Sequence, residues 1–205
     1  GREPQLRNLE SLLPDYALVD GHREWINERM YPCIFIRPKK TIVINSGDIW
    51  LSETPNVPAS KSFGSSFPRL CTWLHGKDKE TSKEFLFVVT HLDHMKEETR
   101  IEQANVLTQE IKKINTSLPL ILIGDFNADP KSEVRKQLTN ELKLHDHWIT
   151  KNIPEEASHH KFTGINEKGS RIDWILVSED FTCDDIYLDK TNSNGIYPSD
   201  HFPLM

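Results

Sequence analysis

The sequence predicts an α/β domain with helices layered over sheets, and three observations point there. Apolar runs of strand length outnumber helical ones, two pairs of these runs read as hairpins, and helical periodicity is interleaved between strands. In order along the chain, Pro4–Leu13 carries apolar and small positions compatible with a short helix ended by Pro14. CIFIR (Cys33–Arg37) and TIVIN (Thr41–Asn45), separated by Pro38-Lys39-Lys40, read as a first hairpin, and IWLSE (Ile49–Glu53) as a further strand. A loop rich in Pro, Ser and Gly runs from Thr54 to Pro68. RLCTWLH (Arg69–His75) and FLFVVTH (Phe85–His91) flank a charged turn and read as a second hairpin. From Lys96 to Asn115 the period changes. Ile101, Ala104, Leu107, Ile111 and Ile114 recur at three- and four-residue steps, which predicts an amphipathic helix. LPLILIG (Leu118–Gly124) is a continuous apolar run, the pattern of a strand buried on both faces. Ser132–Leu142 reads as another helix, RIDWILVS (Arg171–Ser178) as an alternating strand, and SDHFPLM (Ser199–Met205) as a last one. The hairpins imply mixed or antiparallel sheets.

At 205 residues the chain is read as one domain, 1–205, with no repeat and no separating linker. A chain of this size buries about 70% of the surface its unfolded form exposes, so it needs no staple. A composition 37% hydrophobic and 27% charged excludes a disordered chain. Lys plus Arg number 25 against 31 Asp plus Glu, a formal charge of −6 that argues against a protein wrapping nucleic acid but not against an enzyme gripping one phosphate. Cys33, Cys71 and Cys183 are scattered, so neither a disulfide framework nor a thiolate zinc site is expected. A reducing compartment follows, and the protein is expected to be intracellular, cytoplasmic and monomeric. The longest apolar runs, Phe85–Val89 and Leu118–Ile123, are too short to cross a bilayer, and the first residues carry no secretory apolar region. The chain opens without Met and stops within what reads as a strand, so a longer natural protein is expected.

Four polar clusters sit where apolar strands end: His91-Leu92-Asp93-His94, Gly124-Asp125-Phe126-Asn127, Arg171-Ile172-Asp173 and Ser199-Asp200-His201. Side chains alternate along a strand, so Asp125 and Asn127 share a side if the strand continues through both. A carboxylate can take a proton from water while a carboxamide holds an oxygen. Asp200 and His201 offer a hard oxygen and an imidazole together, and such oxygens suit Mg²⁺ or Mn²⁺. Asp173, flanked by apolar residues, needs a partner, and a histidine is the natural one. Each cluster alone has a plainer structural reading: Gly-Asp-x-Asn as a strand-ending turn, Ser-Asp as a helix cap, His91 as a half-buried structural residue. His145-Asp146-His147 resembles a metal motif but reads as a capping or surface feature, His159-His160 as loop, and Arg37 by default as a solvated strand residue. Function rests on the conjunction of the four.

That conjunction resembles the endonuclease/exonuclease/phosphatase superfamily. It is carried by Thr90-His91-Leu92, Gly124-Asp125-Phe126-Asn127, Arg171-Ile172-Asp173-Trp174 and Ser199-Asp200-His201, in this order over nearly the whole chain. The superfamily includes pancreatic-type deoxyribonucleases, exonuclease III-like nucleases, carbon catabolite repressor-type deadenylases, neutral sphingomyelinases and inositol polyphosphate 5-phosphatases. Trp50–Trp73 further resembles hydrolases grouped with the deadenylase side. The resemblance implies a four-layer αββα sandwich, two mixed and mostly antiparallel sheets flanked by helices, with a site at one end. It also implies roles. Asp125 would polarise the attacking water and approach the metal; Asn127 would position water and phosphate. His201 would hold phosphate oxygens, oriented by Asp173. Asp200 would approach Mg²⁺ (or Mn²⁺), and His91 would stabilise phosphate charge or serve the leaving group. Arg69, and more weakly Arg37, would present a cation to substrate.

The chain departs from the family pattern in lacking an Asn in a first strand and a metal-binding Glu ahead of the region matching Gly1. A gap in one sheet and an incomplete metal site are therefore expected of the 205 residues taken alone. The reaction expected is metal-assisted, in-line hydrolysis of a phosphoester. Its substrate is placed first as RNA or single-stranded DNA, cut in the manner of a 3′–5′ exonuclease, with Trp50, Trp73 and Trp148 as stacking candidates weighed against core roles. The alternatives are a sugar, inositol or lipid phosphate, and a binding module without catalysis.

Overall fold

Along FLFVVTH the buried residues are Leu86, Val88 and Thr90, while Phe87, Val89 and His91 are half-buried. This two-residue period gives the strand one face against helices and a second face of different character. The computed structural model describes residues 1–114 and 117–205. The chain opens with α1 (Glu3–Leu12), where the Arg2 amide donates to Gln5 Oε1 at 2.9 Å and Pro4 sits in the first turn, which needs no donor there. β1 (Ala17–Leu18) and β2 (Phe35–Ile36) pair antiparallel as a two-stranded sheet. β3 (Thr41–Trp50), β4 (Leu70–Asp78) and β5 (Glu84–His91) run as an antiparallel meander. α2 (Glu97–Ile114) then crosses to β6 (Leu120–Asp125), parallel to β5. α3 (Glu133–Leu142), β7 (His145–Asp146), α4 (His147–Thr150) and β8 (Asp173–Val177) complete a six-stranded mixed sheet of order β3-β4-β5-β6-β8-β7. The mixed α/β class with flanking helices is the one the sequence predicts.

The main core lies between the sheet and its helices. Leu86 and Val88, Leu120 and Leu122, and Trp174 and Leu176 face Ala104, Leu107 and Ile111 of α2 and Val134 and Leu138 of α3. α2 follows its predicted register; its last predicted residue, Asn115, lies outside the described residues. α3 begins at its Ser132 cap, whose hydroxyl accepts the Arg135 N–H. Among the described residues no helix is long and apolar enough to cross a membrane, and all three cysteines are free.

Three expectations fail. CIFIR and TIVIN do not pair with each other: a tight turn forms, with Thr41 N donating to Arg37 O at 2.9 Å, but β2 pairs back to β1 and β3 pairs to β4 over nine residues. TIVIN and IWLSE are one strand because Gly47 does not break it. A Cβ there would lie 2.6 Å from Trp73 Nε1, so the glycine gives room for the indole on the facing strand. Finally, Ser199–Met205 makes only isolated bridges, His201 with His159 and Leu204 with Leu188; Pro203 lacks the donor a continuous ladder would use.

The second face of β3 and β4 is covered by the segment between β1 and β2. Val19 and Ile34 pack on Leu74, and Tyr31 on Trp50 and Leu70. A buried ion pair holds this segment down: Arg23 grips both Asp48 oxygens at 2.7 Å, donates to Thr72 at 2.8 Å, and lies 4.8 and 4.4 Å from the Trp25 and Tyr31 rings. Burial opposes the Asp48 carboxylate, yet hydrogen bonds from Arg23, His22 and Thr72 and the Arg23 charge overcome it and bring its pKa down to about 2. A pKa below the unfolded value of 3.8 means this stability is complete above that value and is lost as pH falls towards about 2. Asp48→Asn should therefore cost about 3–5 kcal/mol at neutral pH, since it leaves the Arg23 charge buried without a partner. Urea unfolding should show the deficit narrowing as pH drops from about 4 to about 2; a deficit independent of pH would contradict this account.

Candidate active site

Sheet register joins three of the predicted residues. His91 is the Cα partner of Asp125 across β5 and β6, and Asp125 is the partner of Asp173 across β6 and β8. Two residues back, Val89, Ile123 and Ile175 form the same row, and all six line a cleft of ≈ 900 Å³ on the face away from the helices. Gly124 makes the approach possible. Its φ is +153°, and a Cβ there would stand 2.1 Å from the Thr90 carbonyl oxygen, so any side chain would push β6 away from β5 beside the polar row.

In this row His91 Nε2 lies 3.2 Å from Asp125 Oδ2. Burial, and then the charge of Asp173, push the Asp125 pKa up to about 6, against the Asn127 N–H and the charges of His201 and Arg69. Two-fifths of the His91 side chain remains exposed. Burial of its surroundings and the nearby Arg69 and His201 charges nonetheless lower its pKa, which keeps the ring neutral at pH 7. His201 Nδ1 sits 2.7 Å from Asp173 Oδ2. A carboxylate only accepts, so Nδ1 carries the proton and Nε2 is left free, 4.0 Å from Asp125 Oδ2. Burial opposes the His201 charge, but Asp173, with Asp125 and Asp200, more than offsets it and raises the pKa.

The neighbouring loops supply the remaining walls. Asn127 does not follow the strand: β6 ends at Asp125 and Asn127 takes φ +49°, so the expected alternation fails although both residues line the cleft. Its amide donates to Leu92 O at 3.1 Å and its backbone N–H to Asp125 Oδ1 at 3.0 Å, which locks the turn. Asp93 is structural. Its carboxylate accepts from Ser65 Oγ and from the amides of Ser66, Met95 and Lys96, fixing the loop that presents Phe67 and Arg69. Arg69 lines the cleft, 3.3 Å from His94 Nδ1, and among the described residues no carboxylate is recorded within ion-pair distance of it.

Not every predicted residue joins. Arg37 lies over the Tyr16 ring at 4.9 Å, away from the cleft, because β2 pairs with β1 instead of β3. Asp200 does not line the cleft; its carboxylate is 3.7 Å from His159 Nε2. Arg171 is fully buried between Asp146 and Glu155, at 2.9 and 3.0 Å, and so anchors the chain leading into β8. Asp146 caps α4 as expected but is buried rather than superficial. Trp50 and Trp148 are core residues and Trp73 packs against the core; the exposed aromatic at the cleft is Phe67. Sequence reasoning missed His159, which lines the cleft beside His201 with ring centroids 4.7 Å apart. The only signal for it was the pairing of two adjacent histidines in a loop.

Asp125, Asp173 and His201 each place one donor atom within 4.8 Å of the others. Two hard carboxylates whose mutual repulsion already raises one pKa suit Mg²⁺ or Mn²⁺, which would relieve that repulsion.

The molecule is similar in structure to an endonuclease/exonuclease/phosphatase family protein from Bacteroides thetaiotaomicron, with 31% identity, TM-score 0.83 and coverage of 99% of this chain and 78% of that one. It is similar also to the Bacteroides thetaiotaomicron mannosyl-6-phosphatase, with 31% identity, TM-score 0.81 and coverage of 98% and 79%. A segment of 65 residues, 30% of this chain, is 38% identical to Nocturnin of Xenopus laevis and spans 17% of that protein. A sequence model described as the Endonuclease/Exonuclease/phosphatase family matches residues 10–201. The row of His91, Asp125 and Asp173 and the His201 that closes on it thus sit in a chain that belongs to the endonuclease/exonuclease/phosphatase family.

Proposed function

We propose that the protein hydrolyses a phosphate monoester carried on a sugar, with Mg²⁺ or Mn²⁺ as cofactor. The observation that carries the hydrolase reading is the in-register row of His91, Asp125 and Asp173 with His201 hydrogen-bonded to its end. Held at Asp125 and Asp173, the ion would supply positive charge against the phosphate oxygens. Asp125 takes the proton of the attacking water: burial raises its pKa, which would offset the lowering that a cation held beside it brings. His201, kept protonated longer by Asp173, pairs with phosphate oxygens as charge develops there. His91, neutral, acts by hydrogen bonding to phosphate or leaving group. Arg69 turns a cation without a recorded acid partner to the same cleft, and Asn127 holds the Asp125 turn in place. His91, Asp125 and His201 are thus the proposed catalytic residues, Asp173 and Asn127 position His201 and Asp125, and Arg69 is the substrate cation.

The sugar phosphate takes precedence over a nucleic acid because the likeness to the mannosyl-6-phosphatase, at 31% identity and TM-score 0.81, is stronger than that to the human Nocturnin catalytic domain, at 23% and 0.66 over the same 98% of the chain. The charge of −6 also works against a long polyanion. The second reading, a nuclease on RNA or single-stranded DNA, is favoured by Phe67. That ring is 56% exposed at the cleft, near-parallel to His94 at 6.0 Å, where a base would stack.

Asp125→Ala should lower turnover of the preferred phosphoester at least about a hundredfold without unfolding the protein; near-normal turnover of pure variant would remove Asp125 from the mechanism. Turnover should vanish with chelator and return with Mg²⁺. Mannose 6-phosphate, RNA and single-stranded DNA, assayed across a salt series, separate the two readings. A single phosphate should respond weakly to salt, while a nucleic acid should lose affinity steeply. In metal-free protein, Asp173→Asn should shift the His201 imidazole titration down by at least about one pH unit in NMR. An unmoved titration would show that Asp173 does not govern that ring.

A further inference from the structure

His159 takes no part in the mechanism above, yet it stands in a densely hydrogen-bonded part of the rim. Its backbone forms a bridge with His201, its carbonyl accepts Asn166 Nδ2 at 2.7 Å, and the next amide, His160 N, donates to Asp200 O at 2.8 Å. Phe202 N donates to Ser158 O at 2.8 Å, so the two segments are tied on both sides of the histidines. The His159 and His201 rings lie 4.7 Å apart with 36° between their planes. Asp200 closes the group, and one donor atom from each of the three falls within 4.8 Å of the others. All three side chains reach solvent, at 31%, 46% and 25% exposure for His159, Asp200 and His201.

This set differs in chemistry from the Asp125 and Asp173 pair. Two imidazoles and one carboxylate with a free fourth position are the donors of a tetrahedral Zn²⁺ site, whereas Mg²⁺ takes oxygen and retains water. A second observation points the same way: Asp173 already holds His201 Nδ1 at 2.7 Å. A carboxylate on the far nitrogen is the arrangement that orients a metal-binding histidine and makes it more basic. His201 is thereby shared by two ligand groups, one in the cleft and one at its rim.

We propose that His159, Asp200 and His201 form a Zn²⁺ site at the rim of the cleft, and that zinc held there inhibits the enzyme by withdrawing His201 from the phosphate. The binding half stands on this geometry alone; the inhibition half rests on the hydrolase reading.

Binding is read without substrate, by competing the protein against a chromophoric zinc chelator in saturating Mg²⁺. The expected result is one equivalent of Zn²⁺, weakened in His159→Ala by more than the roughly 10–100-fold that loss of an outer partner costs. X-ray absorption of the loaded protein should show two imidazoles. Asp200→Asn serves as a second variant, with circular dichroism as the check on folding. Zinc affinity that neither variant changes, or an all-oxygen shell, would overturn the site. In the Mg²⁺-dependent assay, Zn²⁺ should inhibit the natural protein and lose that effect in His159→Ala. Equal inhibition of both would overturn the regulatory role while leaving binding to its own test. A protein without turnover would remove the hydrolase reading and the inhibition it supports, and the chelator competition would still decide the site.

Discussion

The close approach of β5 and β6 at Gly124 is the constraint on which the candidate site depends. A Cβ at position 124 would stand 2.1 Å from the Thr90 carbonyl oxygen, so only glycine lets the parallel ladder run on to pair His91 with Asp125. β8 then pairs in register and sets Asp173 beside Asp125. Sheet register is all-or-none: a slip of one residue would turn the three polar side chains into the helix-facing core and bring Thr90, Gly124 and Trp174 to the cleft. The apolar row of Val89, Ile123 and Ile175 lies on the same face as the polar row, while Val88, Leu122 and Leu176 lock the register from the other side. Chemistry at the strand ends and packing beneath the sheet are thus two readings of one alternation.

A row that places two carboxylates side by side is not stable by itself. Burial first and the Asp173 charge second raise the Asp125 pKa, and the surroundings answer with His201, whose pKa the same carboxylates move up. Elsewhere in the fold acids and bases are matched more completely. Asp48 is fully engaged by Arg23 and Thr72, Asp93 by four donors, and Asp146 by Arg135 and Arg171. These satisfied groups anchor loops, while the incompletely matched ones, Asp125 and Arg69, face the cleft. Perturbed ionisation concentrated in a cleft is the electrostatic mark of a reacting site, because the same imbalance that weakens folding is what an incoming phosphate and cation would correct.

Much of this was legible in the sequence because it is local. The β4–β5 hairpin, the α2 periodicity and the α3 helix each declare themselves within a few residues, and three of the four polar clusters stand at the ends of β5, β6 and β8, while Ser199-Asp200-His201 lies in a loop segment. The pairing of Asp173 with a histidine was inferable from chemistry, since a partly buried carboxylate needs a donor. What was hidden is non-local. Gly47 looks like a break until Trp73 is placed against it, and Cys33–Arg37 looks like a hairpin partner of Thr41–Asn45 until Ala17–Leu18 competes for it. Arg37, placed near the substrate only by the resemblance, goes with β2 to the Tyr16 side of the fold. His159 escaped because a histidine in a loop has no periodic signature, and only the bridge to His201 gives it a position.

The division between strands and loops also bears on how substrate choice arises. The polar row is built on β5, β6 and β8, and its geometry cannot change without breaking the core behind it. The walls of the cleft are different. Glu28–Cys33, Phe67–Arg69 and the Ser199–Leu204 segment are loops, pinned by local anchors such as the Arg23–Asp48 pair, the Asp93 carboxylate and the bridges of His201 and Leu204. Loops on a rigid scaffold can vary in sequence and length at small cost to the core. A fold arranged this way keeps the hydrolytic row fixed while the rim decides whether a sugar or a base lies beside the phosphate. In this chain the rim places an exposed aromatic ring, Phe67, next to a cation without an ion pair among the described residues, Arg69, a pairing that can rest on the apolar face of a sugar as well as on a base. On the proposed reading, substrate identity would be set by the Phe67–Arg69 loop and the walls facing it, and the chemistry by the sheet.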